Sequence, residues 1–317
     1  MLVSFLLMPG AFGAGVIESK ADRQAAEALF KDILDVGIVV DYQGRPTLSE
    51  IEKNVERLPP QLKQRLLIFI EEMKKQRKVL FATPADGESR SLEQLAKELR
   101  PDAAVVPPRG ASVEHALESV SIEDYLDSVA RRRVEDFRSP RVPAAHLDAS
   151  KLDELLGRFL KYSRSVTIMD KMLGRSAKDG VVGSRFSNGV EFVAKCWSRN
   201  SVYREHRLEL VVVTVAGNCG ASGGFVDPNK VAQAIRRSLA HVATTLKVVL
   251  KQDSSPGVFH ARFLKVRGRC CKLDPGIDAL GSGVGRSLCL QLDPPCEATN
   301  AIALDILKLP ELADAVQ

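Results

Sequence analysis

Short apolar runs alternate with helical patterns along the chain, and this alternation limits the possible folds more than any other feature. In the first half, apolar runs at residues 2–7, 37–41, 79–82 and 103–106 are separated by amphipathic segments such as 62–75. Apolar residues recurring every three or four positions indicate helices, whereas short continuous apolar runs indicate buried strands. Strands separated by helices predict an open α/β sheet, mainly parallel.

The second half repeats the alternation around a more hydrophobic centre. The run LELVVVTV at 208–215 is the most apolar of the chain and predicts a central strand. A helix is predicted at 228–246. Further strands are predicted at 165–170, 247–251, 258–266, 269–273 and 286–292. This pattern predicts an α/β/α sandwich with a mixed sheet.

A proline-containing stretch divides the two halves. Residues 137–150, FRSPRVPAAHLDAS, contain two prolines and little hydrophobic periodicity, as linkers do. A chain of 317 residues is long enough for two domains. We therefore predict an α/β domain at 1–140, a linker at 141–150 and a second domain at 151–317.

Composition is that of an ordinary globular protein, with 27% charged and 45% hydrophobic residues and a net charge of +5. The apolar N-terminal run is short and the first cation is Lys20, so a buried strand fits it better than a leader. No stretch approaches the roughly 18 apolar residues of a membrane span. The six cysteines form no CxxC pair and no zinc-type spacing. These features predict a cytoplasmic protein with reduced thiols and no membrane span.

Three carboxylates in the first half allow two interpretations. Asp41 ends a predicted strand, Glu50 follows a turn later, and Asp102 directly precedes another strand. Together they could hold a divalent cation for metal-dependent cleavage. Alternatively, Asp41 and Asp102 belong to turns, and Glu50 completes a helix cap with Thr47.

A glycine-rich loop at 217–224 follows the central strand and precedes a helix. Its backbone amides could form an anion site, or it could be a flexible connection. It matches neither of the common nucleotide-binding patterns, so it predicts no nucleotide cofactor.

Histidine and cations cluster in the stretch 258–285. His260 and Arg262 are two residues apart on a predicted strand, so their side chains share one face of the sheet. A histidine beside a cation suits the binding of a phosphate and an attack on it. Nearby cations would extend this into a basic patch for phosphate-backbone contacts. They are Lys265, Arg267, Arg269, Lys272 and Arg286.

Motifs across the second half resemble the phospholipase D superfamily over about residues 160–310. The resemblance is greatest to its divergent single-motif branch, which includes the C-terminal domain of MIT-domain proteins. The matching segments are DKMLG at 170–174, FxxGVEFV at 186–193, VVVTV at 211–215, HARFL at 260–264 and LDPGIDAL at 273–280.

The resemblance implies roles for particular residues. His260 corresponds to the nucleophile that forms a phosphohistidine, and Arg262 takes the place of the phosphate-binding lysine. Arg267 occupies the position of the family's carboxylate, so Asp170 or Asp278 would have to orient the histidine ring, with Asp274 as a further candidate. Such sites need no metal or cofactor. Because two motifs usually meet in this family, a single motif implies a homodimer or a subunit of a larger complex.

Two functions follow from these expectations. The first is a metal-independent phosphodiesterase, a nuclease-type effector that acts on nucleic acid within a bacterial defence complex. The second is a catalytically inactive accessory module that binds a protein partner, nucleic acid or anionic lipid through the same surface. The second remains open because an arginine binds phosphate well, whereas a nucleophilic histidine needs a carboxylate partner.

Overall fold

The computed structural model describes most of the chain. The described residues are 3–42, 47–76, 78–82, 91–110, 112–138, 142–143, 149–177, 180–203, 208–215, 218–219, 224–225, 227–242, 245–252, 262–266, 269–274, 276–280, 289–292 and 297–316. They form a mixed α/β structure that divides into two compact units, Met1–Ser139 and Pro140–Gln317.

The first unit is built on a parallel sheet with strand order β3-β2-β1-β4-β5. Its strands are β1 (Val3–Leu7), β2 (Gly37–Tyr42), β3 (Val79–Ala82), β4 (Ala103–Val105) and β5 (Ser119–Val120). Its helices are α1 (Lys20–Asp35), α2 (Thr47–Val55), α3 (Pro60–Lys75), α4 (Leu92–Leu99) and α5 (Val129–Arg138). Short 3₁₀ helices occupy Pro9–Phe12 and Tyr125–Asp127. The predicted parallel α/β sheet is confirmed.

Local sequence signals explain where these helices begin. Ser19 and Asp22 form a reciprocal capping box at the start of α1, and Ser91 and Gln94 form another at the start of α4. Each box satisfies two backbone amides that a helix end would otherwise leave unpaired. Phe5, Phe12 and Phe30 are fully buried in the core that these helices make with the sheet.

The second unit contains an eight-stranded sheet with order β15-β11-β8-β7-β12-β13-β14-β6. Its main strands are β6 (Val142–Pro143), β7 (Ser165–Met169), β8 (Glu209–Val215), β11 (Thr245–Lys251), β12 (Phe263–Val266), β13 (Arg269–Asp274), β14 (Cys289–Leu292) and β15 (Glu311–Val316). β7, β8 and β11 are parallel neighbours and the other pairs are antiparallel, so the predicted mixed sheet is confirmed. β9 (Asn218–Cys219) and β10 (Gly224–Phe225) pair separately.

Helices of the second unit are α6 (Ala149–Leu160), α7 (Lys171–Arg175), α8 (Ser184–Asn200), α9 (Pro228–Leu239), α10 (Ile277–Leu280) and α11 (Glu297–Lys308). Ala303 and Ile306 of α11 pack against Met169, Val213 and Phe263 in one buried cluster. We call the side of the sheet that carries this cluster the α11 face. Because side chains alternate along strands, the neighbours of these residues in sequence point to the opposite face.

Several predicted boundaries were wrong. Residues 113–118 are not helical, and β5 follows them directly. The helix predicted at 228–246 ends at Leu239, because Thr245 and Leu246 already belong to β11. Val142 and Pro143, predicted as linker, pair with β14. Neither α11 nor β15 was predicted.

Within the described residues, no helix is both long enough and apolar enough to cross a membrane.

Candidate functional site

Asp170 stands at the carboxyl end of β7 and is the centre of the candidate site. Its Oδ1 accepts a hydrogen bond from the Met172 amide at 2.8 Å, which caps the short helix α7. Its Oδ2 accepts from the Ile277 amide at 2.9 Å, although the two residues are 107 positions apart in sequence. The carboxylate therefore joins the end of β7 to the start of α10.

Thr214 on β8 supports Asp170 from the neighbouring strand. Its Oγ1 donates to the Asp170 carbonyl oxygen at 2.6 Å and accepts from the Gly174 amide at 2.8 Å. A Cβ at Gly174 would lie 2.1 Å from the Val215 carbonyl oxygen. The turn after β7 is therefore pressed against β8, which leaves no room for a larger residue.

Arg262 directly precedes β12, the antiparallel neighbour of β7. Its Nε lies 3.9 Å from Asp170 Oδ1, within ion-pair distance. The Arg262 side chain is 29% exposed, whereas that of Asp170 is 1% exposed. The guanidinium is therefore open to solvent beside a carboxylate that is not.

Gly276 brings Asp278 to the same place. A Cβ at Gly276 would lie 2.9 Å from both Asp170 Oδ2 and Asp278 Oδ1, and 3.1 Å from Arg262 Cδ. Three functional groups thus surround one glycine. Asp278 is half-buried and so is more accessible than Asp170.

Burial raises the pKa of Asp170 above its usual value of 3.8, and the nearby Asp278 carboxylate raises it further. The Ile277 and Met172 amides and the Arg262 guanidinium act in the opposite direction. The result is a cluster of one cation and two carboxylates, in which the inner carboxylate resists ionisation.

The cluster suits three chemical tasks. Arg262 has guanidinium N–H groups that can bind a phosphate bidentately. Asp278 is placed to accept a proton or to orient a ring N–H. Asp170 already accepts two backbone amides, which makes it a positioning group as much as a reactive one.

The predicted basic patch does not gather around Arg262. Phe263 pairs with Lys272 and Lys265 pairs with Cys270, so both lysines lie on the α11 face. Arg262 precedes Phe263 and points to the other face. Arg269 pairs with Val266 at the far end of the β12–β13 hairpin, and only 3% of its surface is exposed.

Three predicted residues lie outside the described residues. They are His260, Arg267 and Arg286. The nucleophile assigned to His260 and the substitution at Arg267 stay predictions that rest on sequence alone. Most of the glycine-rich loop at 217–224 also lies outside the described residues.

Two glycines were missed by the sequence analysis of the site. Gly276 lies between the three charged groups, and a Cβ at Gly189 of α8 would lie 2.0 Å from the Ile277 carbonyl oxygen. Gly189 therefore lets α8 approach the residue whose amide binds Asp170. A glycine in a helix interior is unfavourable by itself, and that was the available signal.

The three carboxylates of the first unit do not converge. Asp41 ends β2 and accepts a hydrogen bond from Thr47 Oγ1 at 3.0 Å. Asp102 precedes β4, at the opposite edge of this parallel sheet, where its Oδ2 accepts from the Ser4 amide and hydroxyl and its Oδ1 from Arg133. Glu50 is exposed in the first turn of α2. The geometry therefore contradicts a shared cation site.

Among the described residues, no group of three or more His, Cys, Asp or Glu side chains could hold a metal ion. Cys196, Cys270 and Cys271 are buried free thiols. Burial raises the pKa of Cys196 to about 12, so this sulfur stays protonated and unreactive at neutral pH.

Comparisons of the chain with protein-family models, with curated proteins and with solved structures found no match. The resemblance to the phospholipase D superfamily therefore rests on the quoted motifs. The geometry around Gly276 is an independent observation about three of their residues.

Proposed function

We propose that the second unit is a phospholipase D-like domain that recognises phosphodiesters at the site formed by Arg262, Asp170 and Asp278. The observation that supports this is the meeting of the three side chains around Gly276, from segments far apart in sequence. The first unit would be a separate α/β domain.

In the catalytic form of the proposal, His260 attacks the phosphorus and Arg262 holds the phosphate oxygens. His260 is two residues before Arg262 in the chain. Asp278 is the better candidate to orient the histidine ring, because the Asp170 oxygens already accept the Met172 and Ile277 amides. Attack by nitrogen forms a phosphorus–nitrogen bond and expels the alkoxide, and water then cleaves that bond. The substrate would be nucleic acid.

A second function is favoured by the bonding of Asp170 itself. Its two oxygens join β7 to α10, and its partner Arg262 sits beside it, which is what a purely structural ion pair would do. In this form the domain binds a phosphodiester, a protein partner or an anionic lipid without cleaving anything. Either form would suit a subunit of a larger complex or a homodimer.

Cleavage assays separate the two forms. Purified protein is incubated with single- and double-stranded DNA and RNA, with EDTA or with magnesium, beside His260→Ala, Arg262→Gln and Asp278→Asn. EDTA-resistant cleavage that all three variants lose supports the catalytic form. Binding without cleavage, weakened by Arg262→Gln alone, supports the accessory form.

Two other outcomes contradict the proposal. Cleavage that requires magnesium and is indifferent to all three substitutions would place the chemistry elsewhere. The absence of any phosphodiester binding that depends on Arg262 would remove the proposed site. Because Arg262 is partly exposed, thermal unfolding of the Arg262→Gln variant shows whether a loss of binding is a loss of fold.

A further inference from the structure

Lysines that the site does not use lie together on the α11 face. The strand register places Lys247 beside Val211, Val211 beside Thr167, and Thr167 beside Lys265. Lys247 and Lys265 are thus in one row, three strand spacings or about 14 Å apart at the backbone. Lys272 pairs with Phe263, one diagonal step from Lys265, or about 7 to 8 Å. We call Lys247, Lys265 and Lys272 the lysine row.

This row lies next to the part of the sheet that α11 covers. Val213, Met169 and Phe263 are buried against α11, whereas Val211, Thr167 and Lys265 are half-exposed one row nearer the amino ends of β7 and β8. Ser165 and Thr245, in the next row, are half-exposed as well. Strands buried on both faces are usual in parallel sheets, so a half-open face indicates a surface that something else contacts.

Charge decides what kind of partner fits. Against three lysines, the described part of these rows has one carboxylate, Glu209 of β8. Neither Lys265 nor Lys272 has an ion-pair partner among the described residues, whereas Lys195 pairs with Glu191. The unit as a whole contains 25 of the 45 Lys and Arg residues but 17 of the 40 Asp and Glu residues, a net charge of +8. An anionic partner is therefore favoured.

The neighbours of the lysines indicate which anion. The side chains between them are the hydroxyls of Thr167, Ser165 and Thr245 and the small Val211, and the nearest ring, Phe263, is buried. This surface offers phosphate contacts but no aromatic platform for base stacking and no large apolar anchor for a protein hot spot. A second copy of the chain would bring lysines against lysines.

We propose that the lysine row binds the phosphate backbone of a nucleic acid with little sequence preference. The row lies on the opposite side of the sheet from Arg262. It is therefore a second contact surface, which does not rest on the function proposed for the Arg262 site.

The test compares two triple variants of the full chain that lose the same charge. One is Lys247→Gln, Lys265→Gln and Lys272→Gln. The control is Lys195→Gln, Lys230→Gln and Lys308→Gln, which changes exposed helix positions of the same unit. Binding of labelled mixed-sequence single-stranded and duplex DNA is followed by fluorescence anisotropy over a series of salt concentrations.

If three phosphate contacts are lost, the slope of log binding constant against log salt becomes shallower by about 2 to 3 in the lysine-row variant. The control triple should change that slope by less than about 1. Equal changes in both triples, or an unchanged slope in the lysine-row triple, would overturn the inference. The two DNA probes show which strand form the surface prefers.

Two further arms separate this inference from its alternatives. Arg262→Gln should leave the salt slope close to that of the unaltered protein. A lysine-row effect without an Arg262 effect supports this inference and not the proposed site, and the reverse supports only the site. Polyglutamate that binds through the lysine row while DNA does not would overturn the inference in favour of an acidic protein partner. If the triple variant fails to fold, the double variant Lys265→Gln and Lys272→Gln is used, with an expected change in slope of about 1.5 to 2.

Discussion

At the scale of single residues, Asp170 shows how burial and hydrogen bonding compete. Its environment withholds water from the carboxylate, while two backbone amides and Arg262 stabilise the charge. Burial is the largest of these effects, so the pKa of Asp170 is raised. A raised pKa means that folding favours the protonated acid, and this contribution is lost as pH rises through the folded-state pKa.

Asp170→Asn should reveal this linkage. Below pH 3.8, the usual pKa, aspartic acid and asparagine are both neutral, and the unaltered protein has its greatest advantage in unfolding free energy. That advantage should shrink as pH rises, because only the aspartate must ionise in a buried place. Urea unfolding of both proteins across a pH series measures the difference. An advantage that grows with pH would mean that the two amide bonds lower the pKa instead.

Sequence reasoning at this scale identified three of the side chains but not their arrangement. Asp170, Arg262 and Asp278 could be named because motif spacing marked them. The placement of Lys265 and Lys272 on the other face depends on the pairing of Phe263 with Lys272, and this register is a property of the folded sheet. Likewise, that Asp102 binds Ser4 rather than a cation depends on two segments 98 positions apart.

At the scale of elements, close approach through glycine holds α8 against α10. Gly189→Ala would place a Cβ 2.0 Å from the Ile277 carbonyl oxygen, and a backbone atom cannot rotate away. We expect a loss of about 1 to 3 kcal/mol in unfolding free energy, despite the better helix propensity of alanine. Phosphodiester binding at the Arg262 site should weaken with it, since Ile277 donates to Asp170.

Gly157→Ala is the matched control for this prediction. Gly157 is also inside a helix, and its Cβ would lie 2.6 Å from the Asn200 side-chain amide, which can move. Chemical denaturation should show a smaller loss for Gly157→Ala. Equal losses in the two variants would show that steric crowding at Ile277 is not the cause.

Lys251 joins α11 to the sheet. Only 2% of its surface is exposed, and its Nζ donates to the Leu307 and Leu309 carbonyls at 2.8 and 3.0 Å and to Glu311 at 2.8 Å. Lys251→Met removes the cation from the end of the helix and leaves these acceptors unpaired. We expect a loss of about 1 to 3 kcal/mol, with faster hydrogen exchange in α11 and β15.

Lys308→Met is the control for Lys251, since Lys308 is 75% exposed in its ion pair with Asp305. Its loss should stay below about 1 kcal/mol. Hydrogen exchange that is unchanged in α11 of Lys251→Met would contradict the anchoring role.

Elements were predicted best where the hydrophobic pattern is regular. The run at 208–215 became β8, and the amphipathic pattern at 62–75 became most of α3. The predicted helix at 113–118 failed because His115 has φ 70°, a backbone conformation that a helix cannot contain. Glu118 instead accepts hydrogen bonds from the Val129 and Ala130 amides and so caps α5.

At the scale of the whole molecule, the chain divides into two compact units with different charge. The first unit has 20 of the 45 Lys and Arg residues and 23 of the 40 Asp and Glu residues, a net charge of −3 against +8 for the second. The alternation of strands and helices predicted both sheets, because each strand carries a local signal. It did not predict strand order, which depends on contacts between distant segments.

Fragments Met1–Ser139 and Pro140–Gln317 should each fold alone, since each contains its own sheet and buried core. Circular dichroism of the two fragments should sum to that of the full chain, and each should unfold cooperatively. A fragment that lacks a cooperative transition would show that the units depend on each other.

The hydrogen bond between Asp170 and the Ile277 amide has a kinetic consequence. It closes a loop of 107 residues, which includes β8, α9 and β11. Contacts of such long range form late and slowly during folding. The site around Gly276 therefore exists only in a unit that has completed its sheet, and an incompletely folded chain has no phosphodiester site to expose.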